Sequence, residues 1–437
     1  MINIAIVGSG PSGCYIADML SKKVTDAQVD IFDRLPTPFG LVRAGVAPDH
    51  QGTKNIVRQF ERTLSRDNVR FVGNVTIGKD LSYDELKQHY DVIALTIGAL
   101  SDRKLGIPGE ELTGVYGSGE FVAWYNGHPD HAELNPDLSS NGIAIVGNGN
   151  VALDIARILA KTPQEMNSSD ITAAAQHAIG ASTVQDIYLI GRRGPLQASF
   201  TNTELSEFAE LEHCVALANL HQLPDQLPDD IDPKAAKAIE KNLDTLRSYA
   251  SNTPDSKPVR LHLMFCASPL EIIGDNGKVC GLKLEKNTLI DGRPQPSGET
   301  FQLDVQTVIP AIGYRSETIT GMPFDEKRGI VRNDEGRVES GVYTAGWCKR
   351  GPQGVIPANR ADSMAVAKQI IADLEANPSQ HESAGYQATG ALLAERGVRA
   401  VSFTDWQIIN QAEVDRAEDG KPREKFNTIE QMLALLD

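Results

Sequence analysis

The sequence predicts an α/β chain of two layered domains, the second inserted into the first, on three observations. An apolar strand enters a glycine turn and a helix at Ile2; the same arrangement recurs from Gly142; a third strand, glycine turn and helix follow Gly341. At 437 residues there is room for two or three domains with large cores.

The first turn organises the chain. Ile2, Ile4, Ile6 and Val7 form a β-branched run ending at Gly8, and Gly8-x-Gly10-x-x-Gly13 opens a helical run, Cys14 to Lys22. A residue without a side chain lets the backbone turn at Gly8, lets a pyrophosphate approach at Gly10 and lets helix pack on strand at Gly13. The helix N-terminus presents unpaired N–H groups and the positive end of its dipole to the phosphates. Asp33 closes the next apolar run, Ala27 to Phe32, where a carboxylate can hold a ribose hydroxyl pair. The pattern is that of a Rossmann-like, three-layer nucleotide-binding domain.

Prolines and glycines make Pro36 to Gln51 a loop, and Thr53 to Ser65 is predicted as one helix. On it Lys54, Arg58, Arg62 and Arg66 recur every four residues as a basic stripe. Arg70 to Val75 and Val92 to Ile97 are further strands, the second ending in Gly98-Ala99.

The second nucleotide fold starts with the strand Gly142 to Val146, followed by Gly147-Asn148-Gly149-Asn150-Val151-Ala152 and a helix bearing Asp154. Its next strand, Asp186 to Ile190, comes after an inserted Lys161 to Gln185 and ends in Gly191-Arg192-Arg193-Gly194. Two guanidinium groups stand where an acid would bind a ribose 2′-hydroxyl. They match a 2′-phosphate bidentately, so the site should prefer NADPH to NADH. An acid in the first fold and an arginine pair in the second fit FAD and NADP(H) respectively.

Glu204 to Leu211 and Pro233 to Ser248 are predicted helices, the second carrying Lys234, Lys237, Lys241 and Arg247. Strands at Arg260 to Phe265, Val279 to Glu285 and Val305 to Ile309 close the second domain. The late strand–turn–helix then completes the first. The resulting division is 1–105 with 330–437 for FAD and 106–329 for NADP, with a polar, helix-prone extension at 377–437.

Composition excludes several classes. No apolar run approaches the ~20 residues of a membrane span. No charged leader precedes Ile2, so no signal peptide is expected. Five scattered cysteines without a C-x-x-C pair argue for a reducing, cytoplasmic compartment and against a dithiol site, a structural zinc or an iron–sulfur cluster, so no metal is expected. A net charge of −16 gives no support to nucleic-acid binding.

Several segments carry a family resemblance: Pro38-Phe39-Gly40-Leu41-Val42-Arg43, Gly45-Val46-Ala47-Pro48-Asp49-His50, the Gly147 and Gly191 turns, and Gly346-Trp347-x-Lys349-Arg350-Gly351-Pro352-x-Gly354-Val355-Ile356. Over nearly its whole length the chain resembles the adrenodoxin reductase type of ferredoxin–NADP⁺ reductase, including its bacterial members. The resemblance implies flavin contacts from Gly8, Gly10, Ser12, Gly13, Asp33, Leu41, Val75, Trp347, Gly354, Val355 and Ile356. Asp33 stands where the family more often has glutamate, one methylene shorter. The resemblance further implies NADP(H) contacts from Arg103, Gly147, Asn148, Gly149, Asn150, Val151, Arg192, Arg193, Glu204 and Gly354, with His50 and Glu207 as the polar pair near the nicotinamide and flavin rings.

The implied reaction is hydride transfer from NADPH to FAD, then release of single electrons to a [2Fe–2S] ferredoxin. His50 and Glu207 could buffer the accompanying proton or position the carboxamide. An acidic ferredoxin needs a local positive surface, for which Lys54, Arg58 and Arg62 with Lys234, Lys237 and Lys241 are the candidates. Rival readings are an electron-input flavoprotein like the glutamate synthase small subunit, a disulfide reductase, a flavin monooxygenase and a nucleotide-binding redox sensor without turnover.

Overall fold

The computed structural model describes residues 1–228, 231–377 and 383–437. The chain divides into two compact units. The first comprises Met1–Ser101, Asn126–Ala132 and Tyr314–Asp437; the second comprises Asp102–Tyr125 and Glu133–Gly313. The boundaries fall before those predicted at 105 and 329. Phe324–Asp325 pairs with Ile330–Val331, and Met322 and Val331 bury in the core of the first unit, which draws 314–329 into it.

In the first unit β1 (Ile2–Val7), β2 (Ala27–Phe32), β3 (Val69–Val72) and β4 (Val92–Leu95) join the late strands Val342–Thr344 and Arg337–Glu339 in one sheet. β3, β2, β1, β4 and Val342–Thr344 lie side by side in parallel, and only Arg337–Glu339 at the edge is antiparallel. Alternate residues reach opposite faces, as a period of two demands. Ile4, Ile6, Val29 and Ile31 face a core with Phe60, Val366 and Trp406, whereas Ala5, Val7 and Phe32 face Tyr83, Leu86 and Leu393. The chain leaves β1 for β2 and β3, then returns to the other side of β1 at β4. The switch point therefore lies at the carboxyl ends of β1 and β4, where open α/β sheets bind ligands.

The predicted extension forms helices at Tyr386–Glu395, Phe403–Asp415 and Ile429–Leu433. They deliver Leu393 to one face of the sheet and Trp406, Ile409 and Met432 to the other. Residues 378–382 of that extension lie outside the described residues.

The second unit is built on β5 (Gly142–Val146), β6 (Asp186–Ile190), β7 (Cys214–Ala218) and β8 (Val259–Met264), with a strand Thr307–Pro310 beside β5. All five run parallel in the order Thr307–Pro310, β5, β6, β8, β7. A separate antiparallel sheet of β9 (Ala267–Asp275), β10 (Lys278–Ile290) and β11 (Arg293–Leu303) covers one face through Ile272, Leu282 and Leu284. The strand predicted at Val279 to Glu285 is thus the start of a longer hairpin strand. Among the described residues no helix is long and apolar enough to cross a membrane.

The helix predicted over Thr53 to Ser65 is broken. Gln51–Lys54 and Val57–Leu64 are separate turns of helix, joined through tight i→i+3 bonds from Arg58 N to Asn55 O (3.2 Å) and Gln59 N to Ile56 O (2.9 Å). The basic stripe does not survive this break. Lys54 is buried, its Nζ donating to Asn126 Oδ1 at 3.0 Å, and Arg66 lies beyond the helix end, paired with Asp18 at 2.5 Å. Arg58 and Arg62 alone of the four are exposed.

Candidate functional site

The first glycine turn joins β1 to α1 (Pro11–Lys23). Gly8 has φ +107°, and a Cβ there would lie 2.5 Å from Thr96 O, so the turn against β4 admits glycine only. A Cβ on Gly13 would lie 2.1 Å from Gly8 O, which closes helix on strand. Gly10 differs: a Cβ there meets no protein atom within 4 Å. The protein itself leaves this position open, as expected where a ligand and not the fold limits bulk. Ser9 between them is tied down by Asp33, whose Oδ2 accepts from Ser9 N (3.0 Å) and Ser9 Oγ (2.5 Å) while Oδ1 accepts from Leu35 N (3.0 Å). Asp33 is half-buried and so shapes the turn as well as standing at the end of β2.

The late strand brings Gly346, at φ +79°, against this turn: a Cβ on Gly346 would lie 2.2 Å from Ser12 Oγ. Asp362 holds it, accepting from Gly346 N at 2.6 Å and from Lys349 Nζ at 2.9 Å. Trp347 is half-exposed, stacks on Tyr314 with centroids 6.1 Å apart, and donates from Nε1 to Gly354 O at 3.2 Å. Val355, 58% exposed, precedes the helix Ile356–Ala376. Trp347, Gly354, Val355 and Ile356 therefore share one open edge of the first unit.

Leu41 begins a single helical turn, Leu41–Ala44, after Gly40. Val75 offers no side chain to a ligand, because it is buried in the core and its N–H donates to Asp33 O at 2.9 Å. His50 is half-buried at the start of Gln51–Lys54, its carbonyl accepting from Thr53 N and Lys54 N. The loop between them is braced by residues that sequence reasoning passed over. Arg43 makes a bidentate pair with the fully buried Glu413 (2.9 and 2.5 Å) and lies over Trp406, and Lys54 Nζ approaches Arg43 O at 3.4 Å. The extension 377–437 thus supports the loop that carries Leu41 and His50.

In the second unit the turn from β5 into α2 (Asn150–Ala160) repeats the arrangement. Gly147 sits at φ +153°, and a Cβ there would lie 2.2 Å from Ala311 O. Asn148 O accepts from Ser199 N and Ser199 Oγ, both at 2.9 Å, and Asn150 Oδ1 accepts from Thr201 N at 2.9 Å. At the end of β6, Arg192 and Arg193 are exposed and, among the described residues, neither makes an ion pair. Arg103 lies at the start of this unit, its N–H on Gly313 O at 3.1 Å.

Glu204 and Glu207 meet a residue the sequence did not single out. The guanidinium of Arg157, 1% exposed on α2, lies 2.8 Å from Asp154, 3.1 Å from Glu207 and 3.8 Å from Glu204. A buried cation of this kind is stable only with such partners, and it fixes the carboxylates in turn. His50 belongs to the first unit and Glu207 to the second. Of the second basic group, Lys234, Lys237 and Lys241 are exposed on the helix Pro233–Ala250, and Arg247 pairs with Asp244 at 2.9 Å.

No disulfide links the five cysteines, and burial pushes the thiols of Cys14 and Cys214 up, the latter to about 12. Neither thiol supplies a thiolate for disulfide exchange near neutral pH.

The family described as NAD(P)-binding Rossmann-like domain matches residues 6–61. The chain is 41% identical to the mitochondrial NADPH:adrenodoxin oxidoreductase of Arabidopsis thaliana, covering 99% of this chain and 95% of that protein. It is 38% identical to the NADPH-ferredoxin reductase FprA of Mycobacterium tuberculosis, covering 99% and 98%. The solved structure of FprA from Mycobacterium tuberculosis in complex with NADPH superposes with a TM-score of 0.94 at 37% identity, over 100% of this chain and 99% of that one. This agreement runs through both units and the C-terminal extension, and the chain belongs to the family of NADPH:adrenodoxin oxidoreductases and NADPH-ferredoxin reductases.

Proposed function

We propose that this oxidoreductase is an FAD-dependent, NADPH-preferring ferredoxin–NADP⁺ reductase, with FAD on the first unit and NADP(H) on the second. The observation that carries the reading is the pair of unlike glycine turns. Each lies at a sheet switch point; one has a carboxylate, Asp33, at its second strand and the other two uncommitted guanidinium groups, Arg192 and Arg193. A single-nucleotide dehydrogenase needs only one such turn.

The first unit fits a flavin dinucleotide, since Gly10 is a cradle that a Cβ would fill without touching protein. Gly8, Gly10, Ser12, Gly13 and Asp33 hold its pyrophosphate and ribose end, and Leu41, Trp347, Gly354, Val355 and Ile356 flank the ring, with Val75 contributing through backbone only. FAD supplies the conversion of a two-electron hydride into single electrons, which suits a [2Fe–2S] acceptor. Arg103, Gly147, Asn148, Gly149, Asn150 and Val151 hold the nicotinamide dinucleotide, and Arg192 and Arg193 clamp its 2′-phosphate. Glu204, turned onto Arg157, borders that site. His50 on the first unit and Glu207 on the second are each assigned to one of two roles, positioning the carboxamide or buffering the proton that accompanies hydride.

Arg58 and Arg62 on one unit and Lys234, Lys237 and Lys241 on the other offer exposed positive charge to an acidic ferredoxin. Reduction of a [2Fe–2S] ferredoxin by NADPH should slow as salt shortens the screening length to about 10 Å near 0.1 M, while reduction of a neutral dye does not. Salt-insensitive ferredoxin turnover refutes the docking assignment; no turnover of either acceptor refutes the function.

A further inference from the structure

Resting on the assignment of Arg192 and Arg193 to the 2′-phosphate, we propose that Asn287 is the positioning residue that sets discrimination for it. The two guanidinium groups are exposed, so their aim depends on the backbone from which they project. The carbonyls of Gly191, Arg192 and Arg193 are held from β9, from β10 and from Cys266, which immediately precedes β9. Gly191 O accepts from Ala267 N at 3.1 Å, Arg193 O from Cys266 N at 3.0 Å, and Arg192 O from the side-chain amide of Asn287 at 2.8 Å. Asn287 is the one side chain in this set, and the carbonyl it holds lies between the two arginines.

The surroundings are built for that contact. Asn287 Nδ2 also donates to Ser268 Oγ at 2.8 Å, and its N–H donates to Cys266 O at 2.7 Å, so amide and backbone are both fixed. The β10–β11 register shifts between Glu285 and Asn287, an irregularity that re-aims the following side chain. Cys266 has φ +53°, a left-handed conformation that a non-glycine residue seldom adopts and that persists only where the surroundings impose it. Two backbone departures thus converge on the bonds that hold Arg192 and Arg193. The amide N–H of Asn287 reaches Arg192 O, and a carboxylate of equal size there would repel that carbonyl.

The test is binding, by calorimetry on the holoprotein, of adenosine 2′,5′-bisphosphate against 5′-AMP, which differ only by the 2′-phosphate. Asn287→Ala and the isosteric Asn287→Asp should each weaken the bisphosphate about 3- to 10-fold, the range of one hydrogen bond, and leave 5′-AMP unchanged. Asn287→Asp keeps the side-chain volume and so guards against loss of fold, checked by the thermal midpoint. The control is Arg192→Ala with Arg193→Ala, which should abolish the preference. If the control loses the preference and both Asn287 variants retain it, or weaken both ligands equally, the role of Asn287 is overturned and the arginine assignment stands. If the control also keeps the preference, the arginine assignment fails and this inference falls with it.

Discussion

Arg157→Met tests whether the buried guanidinium in the second unit holds the site together. The substitution keeps an unbranched side chain on α2 and removes a cation that is 1% exposed and within 3.8 Å of three carboxylates. Removing one partner of a buried ion pair costs about 3–5 kcal/mol. Asp154, Glu204 and Glu207 are 17%, 19% and 28% exposed, so water takes up part of their charge. The lower end, about 3 kcal/mol, therefore applies. At about 2–4 °C per kcal/mol for a unit near 200 residues, the thermal midpoint should fall about 6–12 °C. Arg157→Lys keeps the charge but lacks the planar fork that reaches several carboxylates, and should lie between the two. Far-UV circular dichroism on the holoprotein reads the midpoint, and the Michaelis constant for NADPH should rise in the same variants as Glu204 and Glu207 are released. A midpoint for Arg157→Met within about 2 °C of the parent, no more than one kcal/mol would shift it, refutes the reasoning.

Three further outcomes follow from the geometry. Gly10→Ala should fold normally and lose FAD affinity, because its Cβ meets no protein atom within 4 Å, whereas Gly13→Ala should fail to fold, its Cβ falling 2.1 Å from Gly8 O; flavin content and circular dichroism separate them. Glu413→Ala leaves Arg43 without its buried partner and should destabilise the first unit by about 3–5 kcal/mol, read by denaturant titration. His128 should make stability depend on pH. Burial lowers its pKa to about 4, with Asp130 opposing and Arg34, His131 and Arg43 adding to the shift. The unfolded chain then binds the extra proton between about pH 6.5 and 4, so this group leaves stability untouched above that window and lowers it as pH falls through it. His128→Asn should flatten the slope; an unchanged slope rejects the assignment.

What was legible in the sequence was local. The two glycine turns, Asp33 at the end of β2 and the exposed Arg192/Arg193 pair at the end of β6 each have their place legible within one strand–turn–helix, because backbone sterics restrict residue types at fixed spacing. What was not legible depends on pairing at a distance. Arg43 and Glu413 are 370 residues apart, and nothing near Glu413 distinguishes it from an exposed helical acid. Arg157 follows Asp154 by one helical turn, a spacing that reads equally well as a surface pair; its burial comes from packing of the segment bearing Glu204 and Glu207. The basic stripe failed because a four-residue recurrence marks one face only along an unbroken helix, and the chain tightens at Asn55–Ile56. The boundary at Gly313 was missed because Phe324–Asp325 and Ile330–Val331 are too short to carry a strand pattern.

Anaerobic stopped-flow absorbance tests the central claim most directly, mixing the purified protein with NADPH and then with a [2Fe–2S] ferredoxin. A bound flavin spectrum that bleaches with NADPH and returns as ferredoxin is reduced is the predicted result. A bleached flavin that ferredoxin does not reoxidise removes the acceptor from the account, and the absence of any flavin spectrum contradicts the assignment of the first glycine turn on which it rests.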